Sequence, residues 1–277
     1  MLTNTILFIC IFSFLIHLTE TLAYTIRFAG LKTKQIAIAM SFVTSTLLVS
    51  RLSNMFQAPL LGSLVDQTIL LNSTSALEAL VYNFRIIIFA GFLGTLIGSL
   101  MTPTAINLFK IAIKKFLDNG SVPKILFSLT YPSNWIKIIK ETTLPSIKQF
   151  KNISLKTIPK QFLILNLFVT SIYTIGVLCS LLAGAYLPEF RATAIQLSGI
   201  VNGLATIMLT LFVDPTGARI TDQAIHKKRP ASDVKSVVFF LQLTKLIGTL
   251  IIAQLLLIPF TKYIMIFTEL ITKFSSL

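Results

Sequence analysis

Six long apolar stretches alternate with shorter polar connections along the chain. They cover residues 4–28, 36–64, 81–109, 161–187, 193–213 and 234–260. Each carries few charges and exceeds the roughly 18 residues that a helix needs to cross hydrocarbon. A helix is suited to that role because it satisfies its backbone hydrogen bonds internally. The pattern predicts an all-α, polytopic membrane protein, with residues 1–277 forming a single transmembrane domain, a bundle of about six transmembrane helices.

Lysine and arginine are concentrated in alternate connections. The 110–160 connection is rich in lysine, a second basic cluster follows the fifth stretch, and Lys32 and Lys34 lie between the first two. The other two connections contain only Arg191. Because basic loops remain in the cytoplasm, this alternation supports an even number of spans. We predict a multi-pass protein with both termini outside the cytoplasm.

The 110–160 connection is not uniformly polar. Residues 109–117 and 135–139 mix apolar side chains with lysines. Two amphipathic helices lying on the inner membrane face would explain this mixture. The alternative is a solvated basic loop whose only role is to set the topology.

Composition narrows the function classes further. Hydrophobic residues make up 54% of the chain, charged residues 12%, and the net charge is +14. Nucleic acid is not predicted as a partner, because the lysines cluster in the connections, as the positive-inside bias explains. Cys10 and Cys179 lie inside apolar stretches and form no cluster with histidine, so we predict no metal and no cofactor. No nucleophile–base set or phosphate-binding loop is present, which argues against an enzyme.

Charged and amide side chains inside the predicted spans are the main candidates for function. Such residues are costly in a bilayer and usually face a protein interior or water. The candidates for substrate binding are Arg51, Asn54, Gln57, Lys245, Asn202 and Arg27. They predict a positively charged polar cavity in which Arg51 could donate two hydrogen bonds to a phosphate. The alternative is that these residues pair with one another and only hold the helices together.

Three further residues are candidates for coupling transport to an energy source. His17 and Glu20 lie three residues apart and therefore share a helix face. Both side-chain types can titrate near neutral pH when buried, so they could form a proton-linked switch. Asp214 closes the fifth span and could bind substrate or an ion; the alternative is a helix end that forms salt bridges with Arg219.

Small residues recur at four-residue spacing in three spans, a pattern typical of closely packed helices. The sets are Ala90, Gly94, Gly98 and Thr102; Gly176, Ser180 and Gly184; and Gly199 with Gly203. We predict that these faces pack against neighbouring helices.

Two stretches resemble a known family. Residues 17–24, HLTETLAY, followed by Arg27 and Gly30, are similar to the start of the Amj family, the lipid II flippases named as an alternate to MurJ. Residues 50–62, SRLSNMFQAPLLG, followed by Asp66, are similar to the second span of that family. Asp214-Pro215 and Thr221-Asp222 resemble the segment after its fifth span.

The resemblance implies a transporter of peptidoglycan biosynthesis, in the service of cell wall biogenesis and cell shape. Its substrate would be lipid II, the undecaprenyl-pyrophosphate-linked precursor, moved from the inner to the outer leaflet of the bacterial cytoplasmic membrane. The implied partners are lipid II and membrane lipids, with a homodimer as a further expectation. Two alternatives stay open: a transporter of another polyprenyl-phosphate-linked glycan, and a non-transporting scaffold for cell-wall enzymes.

Overall fold

A computed structural model describes residues 4–121, 124, 131, 142–143 and 153–275. Within these ranges the chain is helical and contains no strand. The α-helices are α1 (Asn4–Thr33), α2 (Ile36–Leu71), α3 (Thr74–Leu100), α4 (Thr102–Asn119), α5 (Lys160–Tyr186), α6 (Arg191–Gln196), α7 (Ser198–Met208), α8 (Asp214–Ile225), α9 (Ala231–Ile247) and α10 (Ala253–Ser275).

Some of these helices continue into one another. A π-helical segment, Leu209–Val213, joins α7 to α8, and a second, Gly248–Ile252, joins α9 to α10. The described residues therefore form six helical stretches that are long and apolar enough to span a membrane. The predicted fold class, an all-α polytopic bundle of about six spans, is confirmed.

Tight turns connect the first three helices. Lys34, with φ 59°, adopts the left-handed conformation that ends α1, and Asn72, with φ 41°, does the same after α2. The hydroxyl of Ser73 then accepts a hydrogen bond from the backbone N–H of Ala76 at 3.2 Å and caps α3. These short turns make α1 antiparallel to α2 and α2 antiparallel to α3, so that α1 and α3 run parallel to each other.

The chain turns at Met101, inside the stretch 81–109. α3 ends at Leu100, and α4 begins at Thr102 with Pro103 in its first turn. Proline is favoured there because its missing N–H would lack an intrahelical partner anyway. Residues 109–117 lie within α4, whereas residues 135–139 lie outside the described residues.

α1 packs against five other helices, namely α2, α3, α4, α8 and α9. Its contact with α3 is close because glycines line that face of α3. A Cβ atom at Gly94 would collide with the backbone of Phe14, and one at Gly98 would approach the Cβ of Thr21 to 2.9 Å. The predicted small-residue face of α3 is therefore an interhelical contact.

The other two small-residue faces differ from each other. On α5, Gly176 makes room for the side chain of Asn202, and Gly184 packs against Arg191. On α7, a Cβ at Gly199 or Gly203 would meet nothing within 4 Å. The prediction that Gly199 and Gly203 pack against another helix of the same chain is wrong, because α7 turns this face outward.

Candidate functional site

A cavity of about 250 Å³ lies in the middle of the bundle, between α1, α2, α3, α5 and α7. We call it the central cavity. Ile87, Ile88 and other apolar residues form part of its wall. Its polar lining comprises Ser13, His17, Glu20, Ser50, Arg51, Asn54, Gln57, Tyr173, Thr174 and Asn202. Polar residues from four separate spans thus meet at one place inside an otherwise apolar bundle.

An ion pair between α1 and α9 borders this cavity. The Nζ of Lys245 lies 2.8 Å from the Oε2 of Glu20, and the hydroxyl of Ser50 donates to the other carboxylate oxygen at 3.1 Å. The Lys245 side chain is 3% exposed, whereas that of Glu20 is 35% exposed. Glu20 therefore faces the cavity, and Lys245 lies behind it as a buried countercharge.

Arg51 is placed differently from Lys245. It lines the central cavity, is exposed, and makes no ion pair with a carboxylate among residues 4–121 and 153–275. Asn54, three residues further along α2, lines the cavity and is also exposed. The cavity is therefore open on its α2 side, where it presents a guanidinium that is available to an anion.

His17 forms the wall between Glu20 and α3. The residue is 8% exposed, and its Nδ1 has no hydrogen-bond partner in the described part of the chain. Its imidazole packs against Gly91, where an added Cβ would come within 2.6 Å of the ring. The glycine is therefore required for the histidine to lie at this position.

Gln57 and Asn202 also line the cavity, but their side-chain amides differ in their hydrogen bonds. The Nε2 of Gln57 donates to the carbonyl oxygen of Ile9 at 3.0 Å and to the hydroxyl of Ser13 at 2.6 Å, so it ties α2 to α1. The Oδ1 of Asn202 is buried and has no partner among the described residues. Asn202 thus retains an acceptor, whereas the donors of Gln57 serve the helix contact.

Two of the predicted site residues lie apart from the cavity. The Nη2 of Arg27 contacts the Oδ1 of Asp214 at 2.5 Å, which links α1 to the start of α8. Gly217 provides the space for the Arg27 guanidinium. Asp214 therefore pairs with a residue of a different span. The helix-end alternative expected a salt bridge from Asp214 to Arg219 instead.

The lining also includes residues that were not singled out from the sequence. Ser50 binds Glu20, and Tyr173 and Thr174 contribute from α5. Nearby, the Nδ2 of the fully buried Asn166 donates to Thr244 at 2.8 Å, and its Oδ1 accepts from Tyr24 at 3.2 Å. The sequence spacing could have pointed to these residues, because Asn166 and Tyr173 are polar groups seven residues apart on one face of an apolar helix.

The comparisons with known proteins agree on one family. The family model described as Amj, alternate to MurJ, matches residues 12–268. A curated relative, Lipid II flippase Amj of Bacillus subtilis (strain 168), is 37% identical over 264 residues, which covers 95% of this chain and 96% of the relative. No solved structure matches the chain. The matches cover nearly the whole length of this multi-pass membrane protein, and the chain belongs to the Amj (alternate to MurJ) family.

Proposed function

We propose that this chain flips lipid II from the inner to the outer leaflet of the bacterial cytoplasmic membrane. Membership of the Amj family and the name of the Bacillus subtilis relative support this function. The structural observation that carries it is the guanidinium of Arg51, which lines a polar cavity within the bundle and has no carboxylate partner in the described part of the chain. A cation at that depth is costly unless water or an anionic ligand compensates it.

The lining suits the chemistry of a pyrophosphate-linked glycan. The planar fork of Arg51 binds phosphate oxygens through two hydrogen bonds. Asn54, Tyr173, Thr174 and Asn202 offer donors and acceptors for sugar hydroxyls. Because the cavity is open at α2, the polyprenyl tail stays in the surrounding lipid, beside exposed apolar residues such as Leu52 and Phe56.

The Glu20–Lys245 pair provides a means of responding to substrate. An anion that entered the cavity would repel Glu20 and compete with it for the charge of Lys245. His17, next to this pair, is placed to exchange a proton with the cavity. Arg27 and Asp214 contribute to coupling by holding α1 to α8 outside the cavity.

The orientation and assembly also belong to this proposal. The lysine-rich connections lie in the cytoplasm, and both termini lie outside it. α4 rests on the inner membrane face, with its lysines directed to anionic headgroups. Two copies of the chain form a homodimer, because six spans make a narrow bundle for so large a headgroup.

Genetic rescue tests the proposed function. A bacterial strain depleted of its main lipid II flippase should survive when this chain is expressed. Arg51→Ala should abolish survival, and Arg51→Lys should restore it only in part, since lysine keeps the charge but loses the fork. The matched control is Arg219→Ala, which removes an exposed arginine remote from the central cavity.

The amount of each variant in isolated membranes is measured by immunoblot alongside survival. Full survival of the Arg51→Ala strain would remove Arg51 from transport. Failure of the unaltered chain to rescue, at normal membrane levels, would reject the lipid II assignment.

A further inference from the structure

A second, larger cavity lies at the basic end of the bundle, the end where α1 meets α2 and α8 meets α9. Its volume is about 610 Å³, and it is lined by residues of α1, α3, α4 and α9. We call it the basic-end cavity. Leu96, Leu100, Ile106, Phe239 and Leu243 are among the residues that make its walls mainly apolar.

Two lysines are set into this apolar lining. Lys32 reaches it from the end of α1 and Lys235 from the first turns of α9. In the described part of the chain, neither lysine is paired with a carboxylate. The Nζ of Lys32 lies 5.3 Å from the centroid of the Phe28 ring, which also lines the cavity. An apolar cavity with two ammonium groups that have no carboxylate partner among the described residues is complementary to a lipid that carries more than one negative charge on its phosphate headgroup.

Two described residues between α4 and α5, Thr143 and Ile153, also line this cavity. Thr143 lines it and is fixed to α4, because its N–H donates to the hydroxyl of Thr104 at 3.0 Å and its carbonyl accepts from the same hydroxyl at 3.1 Å. Next to Ile153, another lining residue, the N–H of Ser154 donates to the hydroxyl of Ser236 at 3.1 Å. The cavity is thus a built part of the fold.

Two side-chain contacts between α1 and α9 connect the linings of the two cavities. Gln242 lines the basic-end cavity, and its Nε2 donates to the carbonyl oxygen of Thr21 at 3.4 Å. The residue before Thr21 is Glu20, which lines the central cavity and binds Lys245, one turn from Gln242 on α9. Loss of these two contacts would remove two polar links between α1 and α9 where the linings of the two cavities meet.

We propose that the basic-end cavity is the loading site for a polyprenyl pyrophosphate headgroup, and that the Glu20–Lys245 and Gln242–Thr21 contacts form the partition that the headgroup must cross. The proposal rests on the function proposed above and adds a place of entry. Lys32 and Lys235 bind the pyrophosphate, and the apolar walls hold the first part of the tail. A pyrophosphate fits two lysines better than the single charge of a common anionic phospholipid.

Equilibrium binding tests this assignment in the full chain, purified into nanodiscs of neutral phosphatidylcholine. The probe is undecaprenyl pyrophosphate without sugars, and every variant carries Arg51→Ala so that binding in the central cavity is suppressed. Lys32→Gln with Lys235→Gln should raise the Kd at least about tenfold, because both cations that face the pyrophosphate are removed. Lys227→Gln with Lys228→Gln, which changes two exposed lysines outside the cavity, should leave the Kd unchanged.

Two results would overturn the loading site. One is an equal Kd for the two double-lysine variants. The other is displacement of the probe by phosphatidylglycerol at matching concentration, which would make the cavity a general site for anionic lipids. Lysine-dependent pyrophosphate binding combined with failed genetic rescue would uphold the site while rejecting the lipid II flippase, so the two proposals fail separately.

Discussion

At the scale of single residues, the two members of the buried Glu20–Lys245 ion pair differ in how far they are exposed. Lys245 is almost completely buried, and Glu20 is the carboxylate that compensates its charge. Glu20 itself lies against the central cavity and also accepts a hydrogen bond from Ser50. Loss of Glu20 would leave a cation enclosed by protein, whereas loss of Lys245 would leave a carboxylate with access to water.

We therefore predict an asymmetry in stability. Glu20→Ala should lower the free energy of unfolding by about 3 kcal/mol, because removal of one partner leaves a buried charge uncompensated. Lys245→Met should cost clearly less, on the order of 1 kcal/mol, because an apolar side chain of similar length replaces the buried group. The measurement is thermal unfolding of the purified variants in detergent, compared by their midpoints.

The double variant serves as the control for this prediction. Combining Glu20→Ala with Lys245→Met should recover part of the loss seen with Glu20→Ala alone, as expected for interacting sites. Equal destabilisation by the two single changes, with simple additivity in the double variant, would show that Lys245 does not depend on Glu20 as its buried countercharge.

At the scale of helices, glycines decide which elements approach closely. The face of α3 formed by Gly91, Gly94 and Gly98 receives α1 and positions His17 at the central cavity. The spacing predicted a close contact, but its partner depends on the turns at Lys34 and Asn72. The outward face of α7 has the same spacing without a close neighbour among the described residues, because spacing alone does not indicate which way a helix turns.

A pair of glycine substitutions tests this difference. Gly94→Ala should destabilise the protein by about 3 kcal/mol, at the upper end of the range for overpacking, because the new methyl group meets the backbone of Phe14 rather than a movable side chain. Gly203→Ala adds the same methyl group in open space and should leave the unfolding midpoint unchanged or slightly raised. Equal midpoints for the two variants would show that α1 and α3 are further apart than described.

The two π-helical segments also belong to this scale. One lies directly before Asp214, and the other begins three residues after Lys245. Such segments are frequent near functional sites, and the apolar sequences of both resemble ordinary spans. They could not be predicted from hydropathy, because a change from α to π hydrogen bonding leaves the apolar pattern unchanged.

At the scale of the whole molecule, ion pairs between spans lie on either side of the central cavity. Arg27 and Asp214 join α1 to α8 at the basic end, and Asp66 and Arg191 join α2 to α6 at the opposite end. Ion pairs thus join spans towards both ends of the bundle, whereas the central cavity between them is open sideways at Arg51. This arrangement suits a transporter whose substrate keeps its tail in lipid.

The orientation of the molecule is testable by cysteine labelling. With Cys10 and Cys179 replaced by serine and alanine, Ser75→Cys at the end opposite the basic end should react with a membrane-impermeant maleimide in intact cells. Lys228→Cys, at the basic end, should react only after the membrane is permeabilised, because basic loops stay in the cytoplasm. The reverse labelling pattern would invert the proposed topology.

The sequence by itself determined the helical class, the number of spans and the faces of α1 and α2 that carry His17, Glu20, Arg51 and Asn54. These follow from local properties, because span length, periodicity and the cost of charge in hydrocarbon are all readable along the chain. Only the tertiary structure decided that Lys245 pairs with Glu20, that Arg27 pairs with Asp214, and that a second cavity lies behind Gln242. Those contacts join residues far apart in sequence, and which helices become neighbours depends on packing and turns that no local pattern records.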